Sequence, residues 1–469
     1  MCIEFPVVSR CLTRNSPRYI QSEVSTLAKV TKKMNVWQLT MLTAANMLGA
    51  GIIMLPTKLA QVGTISVLSW LVTAVGSLLL AHVFAQCGMF TRHSGGMGGY
   101  AAYRFGLPGY FMTNFAYSVS LIIANVAIAV SAVGYGATLF GWHPHPGQIT
   151  AATMLLLWVA GVLNFGGSRW TGSISSVTVW GSLLPVLFLT VAGWFWFYPT
   201  LYIQSWNPSD MPFFSAVSES VTLTLWAFLG FESAAVNMDA IENPQRDVPR
   251  ATFFGTLAVA VVYIASTNVM AGIVPNLDLL HSNAPFGLTF AVLFGGTIGK
   301  IVMAMMVISC MGALLCWQFT LAQVFKSSAQ NGVFPKVFSR LSKQGVPVNG
   351  MLILLALQSL LALMTMDEYL FAQFERLVNL AVVTNVVPYL YCCLAAPTLL
   401  RVAGLPAKQI LWMRGISALA LAYSMYAMYA AGLEAIRGAV IVLFLGYLLY
   451  RGTVARRPER VQYSLPAWK

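Results

Sequence analysis

The chain has 469 residues, 58% of them hydrophobic and only 9% charged, with a mean hydropathy of +0.73. A soluble domain carries about 25% charge; here apolar runs of about 20 residues, enough to cross a bilayer, recur throughout and leave no polar stretch long enough for a soluble domain. The net charge of +13 does not point to nucleic acid, because the basic residues lie in alternate loops, which is a membrane-topology signal.

Residues 1–37 read as a cytoplasmic tail. They include Arg10, Arg14, Arg18, Lys29, Lys32 and Lys33 and lack the apolar core of a signal peptide. Met34 is an alternative start to Met1. Twelve spans follow, near 38–62, 64–88, 111–140, 149–165, 172–198, 217–240, 251–274, 296–325, 349–366, 376–397, 411–432 and 433–450. Spans 1–10 make a unit over 38–397, spans 11 and 12 occupy 398–450, and residues 451–469 form a second tail. Of the 27 basic residues, all but Lys58, Lys300, Arg376 and Arg437 fall on the side of the N-terminal tail, which places both termini in the cytoplasm.

Two spans carry corresponding interruptions. Span 1 has Asn46-Met47-Leu48-Gly49-Ala50-Gly51-Ile52, and span 6 has Gly230-Phe231-Glu232-Ser233. They open two consecutive five-span blocks, 1–5 and 6–10. Paired breaks of this kind are the sequence pointer to an inverted-repeat transporter with its site at the bilayer midplane; glycines that let helices pack closely are the other reading. A broken helix frees N–H groups suited to a carboxylate and carbonyls suited to a cation. Freed backbone at that depth must line a cavity or be satisfied otherwise.

Glu232 lies near the middle of span 6. An intramembrane acid is costly and is a functional site by default. Its partner is either a cation arriving from water or a Lys or Arg from another span, and no basic residue lies near the middle of any span. Trp226, one turn before Gly230, and Trp317, deep in span 8, can pack an ammonium group or an alkyl stem. Asn125, polar within span 3, either binds a ligand or bonds a neighbouring helix. Trp142, Trp194, Trp196 and Trp206 sit at span ends, like an interfacial belt.

Other signals are weaker. Ser94–Tyr100 (SGGMGGY) has no preceding strand, so a phosphate loop fails its context and a tight inner loop is expected. Glu242–Thr252 and Lys326–Arg340 read as inner loops. His143 and His145 have no further ligands clustered near them for a metal. The seven cysteines lie mostly in or beside apolar spans and read as small apolar residues. No catalytic triad or nucleotide loop appears, so no cofactor, metal or enzymatic activity is expected.

The runs NMLGAGIIMLPTKLAQVGTISVLSW, LWAFLGFESA, ENPQRDVP, SGGMGGY, NFGGSRWTG and WQFTLAQVFKSS resemble the basic amino acid/polyamine antiporters of the amino acid–polyamine–organocation superfamily. The similarity runs from about Met34 to Tyr450 and is greatest to the putrescine–ornithine branch. It implies a twelve-span, five-plus-five inverted-repeat fold, a homodimer in the bacterial inner membrane, and substrate contacts at Met47, Ala50, Gly51, Asn125, Trp226, Leu229 and Trp317. It implies proton sensing or substrate pairing at Glu232, and secondary effects on transport at Cys87, Tyr117, Lys326 and Tyr450. The family pattern has an acid where this chain has Ala102, a tyrosine at Val333 and a cysteine at Met311.

The expected activity is exchange of external ornithine for internal putrescine, with proton-coupled putrescine uptake as a second mode. A carboxyl group whose proton affinity depends on a neighbouring cation can swap a proton for an amine. Lysine–cadaverine and arginine–agmatine exchangers share most of these motifs and stay open as alternatives. So does a non-transporting polyamine sensor, although Arg451–Lys469 is a short output segment, and so does a channel, which conducts without saturating.

Overall fold

A computed structural model describes residues 36–48, 51–91, 96–232, 243–364, 366 and 370–456. Among them the regular elements are all helical, as lipid demands of a backbone that must satisfy itself within one segment. In chain order the α-helices are α1 (Val36–Leu48), α2 (Leu55–Val62), α3 (Ser66–Phe90), α4 (Gly96–Phe140), α5 (Pro146–Leu163), α6 (Ser168–Thr178), α7 (Trp180–Ala192), α8 (Pro199–Gln204), α9 (Phe213–Phe228), α10 (Pro244–Ile273), α11 (Asn276–Leu280), α12 (Pro285–Phe294), α13 (Gly296–Gln330), α14 (Val348–Met364), α15 (Leu370–Val402), α16 (Ala407–Ala430) and α17 (Gly432–Gly452).

Eight helical stretches among the described residues are long and apolar enough to cross a bilayer, and the chain is a membrane protein. Twelve spans were expected from hydropathy. The remaining expected spans have identifiable reasons for falling short. Expected span 1 is divided between α1 and α2, and α9 and α14 have 16 and 17 residues. α16 dilutes its apolar side chains with Lys408, Arg414 and several hydroxyl groups.

Three stretches expected to be inner loops prove to be helical in part. Gly96–Tyr100 opens α4, where Gly98 N–H donates to Asn114 Oδ1 at 3.1 Å; a kink follows at Gly106 (φ 61). Pro244–Arg250 forms the first turns of α10, with Pro and Asp247 in the positions that favour a helix start. Lys326–Gln330 completes α13. Residues such as Gln, Arg, Asp, Lys and Ser cost a helix interior little, so α10 and α13 run beyond their apolar segments, while the glycines of Gly96–Tyr100 and Pro244 sit in the first turns of α4 and α10.

At the centre α4 packs most extensively against α15 and α13. α3 and α9 are joined by hydroxyl contacts. Ser69 donates to Val217 O at 2.7 Å, Ser220 donates to Ser69 Oγ at 2.8 Å, and Thr73 and Thr224 meet at 2.7 Å. Such small polar residues allow close approach and hold membrane helices together. Lys58, expected only as a charge at a span end, is buried at 5% exposure. Its ammonium lies 2.8 Å from Glu375 and 3.9 Å from Glu219, and it also donates to Gln61. One cation thereby joins α2, α9 and α15.

Candidate functional site

α1 stops at Leu48 and α2 begins at Leu55, with residues 51–54 non-helical between them. α9 stops at Phe228, and residues 229–232 turn away, Gly230 taking φ 118, a value that other residues rarely adopt. The 51–54 link lies against the end of α9. A Cβ on Gly51 would stand 2.7 Å from Ala227 Cα and 2.9 Å from Ala227 O, so a side chain at 51 is excluded by the backbone of the last turn of α9.

The last carbonyls of a helix need partners from outside it. Tyr263 of α10 supplies one for both: its hydroxyl is shared between Met47 O at 2.7 Å and Ala227 O at 3.0 Å. Tyr135 of α4 donates to Ile53 O in the link at 2.9 Å. Part of the carbonyl surface expected to face a cation is therefore engaged by tyrosines.

Glu232 is 4% exposed. Its Oε2 accepts from Gly230 N–H at 3.0 Å and from the Tyr389 hydroxyl at 3.2 Å, while Oε1 accepts from Tyr117 at 3.4 Å. Among the described residues no Lys or Arg forms an ion pair with it. The carboxyl group is held by neutral donors from α4, α15 and its own turn.

These groups border one cavity. Met47, Gly51, Tyr117, Trp226, Leu229, Glu232 and Trp317 all line it, beside Ser120, Leu121, Ala124, Ile128 and Asn385. Apolar and aromatic walls with a few polar groups are the composition of small-molecule sites. Seven residues expected from sequence thus converge from α1, the 51–54 link, α4, α9, the turn after α9 and α13.

The remaining expectations fall elsewhere. Asn125 is fully buried on α4 beside the lining residue Ala124 but is not on the wall, and its amide atoms have no hydrogen-bond partner among the described residues. Ala50 lies outside the described residues. Cys87 is buried in α3, Lys326 sits near the end of α13, and Tyr450 of α17 packs its ring 5.6 Å from Phe111. Ala102, Val333 and Met311 do not line the cavity.

Sequence reasoning missed Asn385, Tyr389 and Tyr263. A polar residue in an apolar run does not announce which face it occupies. The usable signal was the i, i+4 pair Asn385 and Tyr389, which share one helix face; Asn385 Nδ2 donates to the Tyr389 hydroxyl at 3.0 Å.

The amino acid permease family model matches residues 34–450. The chain is 58% identical over 429 residues to the putrescine transporter PotE of Escherichia coli (strain K12), covering 92% of this chain and 98% of that one. It is 55% identical over 420 residues to the putrescine transporter PotE of Haemophilus influenzae, covering 90% and 97%. It is 31% identical over 439 residues to a cadaverine/lysine antiporter of E. coli (strain K12), covering 92% and 97%. With a uniform match over nearly its whole apolar length, the chain belongs to the amino acid permease family.

Proposed function

We propose that this permease is a secondary transporter that exchanges ornithine for putrescine across the bacterial inner membrane and also takes up putrescine with protons. The observation that carries the reading is Glu232: a buried carboxylate on a cavity wall, held only by neutral donors, in a chain 58% identical to a putrescine transporter. A charge left uncompensated inside a membrane protein is stabilised by a cation that comes and goes. Trp226 and Trp317 offer indole faces to the same guest. Lysine–cadaverine exchange has less support, because the relative of that name is 31% identical.

In this reading the chain has twelve spans in a five-plus-five inverted repeat, with breaks in spans 1 and 6, both termini in the cytoplasm and a homodimeric assembly. N–H groups of the first break, around Ala50 and Gly51, hold the ornithine carboxylate. The distal ammonium of ornithine, or either end of putrescine, faces Glu232. When no amine is present, Glu232 takes a proton, which couples uptake to the proton gradient.

The test is counterflow in proteoliposomes. Putrescine preloaded inside should accelerate entry of labelled ornithine, and no acceleration would reject exchange. Glu232→Gln keeps the shape and removes the charge. It should abolish putrescine transport at normal expression; transport at the wild-type rate would reject the pairing role.

A further inference from the structure

We propose that Asn385 is a substrate-contacting residue, its side-chain carbonyl forming with Glu232 a two-acceptor subsite for one primary ammonium group. The inference rests on the reading of this cavity as the substrate site and adds a specificity-determining residue to it.

With Glu232 ionised, as it is opposite a bound ammonium group, the Tyr389 hydroxyl donates its one proton to Glu232 Oε2 at 3.2 Å. It can then only accept from Asn385, so the amide NH2 faces the tyrosine at 3.0 Å and the orientation of the amide is set. That leaves Oδ1 as an acceptor. It is buried, in a residue 2% exposed that lines the cavity, and has no hydrogen-bond partner among the described residues. A buried polar atom without a partner is destabilising. On a cavity wall, that cost is removed by a donor that enters with the ligand.

The donor chemistry follows. A primary ammonium carries three N–H groups and no acceptor. The Glu232 carboxylate already accepts from the backbone N–H groups of Gly230 and of Glu232 itself and from the Tyr389 and Tyr117 hydroxyls, which occupies most of its roughly four lone-pair sites. It can neutralise the charge of an ammonium group but cannot take all its protons. A neutral acceptor on the same hydrogen-bonded chain, Asn385–Tyr389–Glu232, takes the next one. A purely apolar end of a ligand would leave Oδ1 stranded, so the pair selects ligands ending in –NH3+.

Asn385 could also act at one remove, by orienting Tyr389 toward Glu232, and the experiment separates the two roles. Binding of labelled putrescine to purified protein is measured for wild type, Asn385→Leu, Tyr389→Phe and the double variant. Direct contact predicts that Asn385→Leu weakens binding about ten- to a hundredfold, as for a lost hydrogen bond to a charged group. It also predicts that the double variant binds at least tenfold more weakly than Tyr389→Phe alone. An affinity for Asn385→Leu within twofold of wild type, or a double variant equal to Tyr389→Phe, overturns the proposal. If Asn385→Leu does not purify as a monodisperse protein, Asn385→Ser, which withdraws the acceptor but stays polar, takes its place in both the single and the double variant. It should lose at least fivefold on either comparison, and an unchanged affinity on either overturns the proposal. Wild-type protein that binds no diamine refutes the function proposed above, which is a different failure.

Discussion

Tyr263 shows how one hydroxyl can serve the ends of two helices. Its ring packs 5.4 Å from Trp70 and 5.6 Å from Phe228, and its oxygen reaches Met47 O and Ala227 O together. Tyr263→Phe keeps the ring and removes only the donor. The two buried carbonyls then lose a shared partner, at about 1–3 kcal/mol, and the purified variant should unfold at a lower temperature than wild type. An unchanged melting temperature would show that the carbonyls find other donors. The site was legible in part at this scale. Glu232, Trp226 and Trp317 stand out because a charge or an indole within an apolar run is chemically conspicuous. Tyr263, Tyr389 and Asn385 do not, because many polar residues in membrane helices merely bond a neighbour, and only the packing of α10 and α15 shows which of them turn toward the breaks.

At the scale of elements, glycine spacing pointed to the non-helical link at 51–54 and to the turn that follows α9, and the structure adds why the glycine at 51 matters: the backbone of α9 lies against it. The ion cluster at α2 was not readable, since Lys58, Glu219 and Glu375 are far apart in sequence and meet only when α2, α9 and α15 pack. Its members are unequal. The Lys58 side chain is 6% exposed, whereas those of Glu375 and Glu219 are 31% and 43% exposed. Deleting the lysine leaves two carboxylates that water can reach. Deleting Glu375 leaves a buried ammonium with only Gln61 and a carboxylate 3.9 Å away as partners, and a buried charge that loses its nearest counter-charge is destabilising. Glu375→Gln should therefore destabilise the protein more than Lys58→Met in a thermal melt. The reverse order would show that the lysine finds water or another acceptor in the folded protein.

For the whole molecule, the charge carried by each substrate sets a measurable direction. Amines of this kind have pKa values near 10, so at neutral pH ornithine carries about one net positive charge and putrescine about two. Inward ornithine against outward putrescine moves one net positive charge out per cycle. An inside-negative potential opposes that cycle by about 2.3 kcal/mol per 100 mV. Glu232 does not alter the tally, since it is part of the carrier and returns with each cycle. In vesicles clamped by a potassium diffusion potential, an inside-negative voltage should slow ornithine entry against internal putrescine, and an inside-positive voltage should speed it. Putrescine–putrescine exchange in the same vesicles moves no net charge and should keep its rate at either voltage. Hetero-exchange that ignored the voltage would mean that a compensating charge, such as a proton carried by Glu232, moves with the substrates in each cycle.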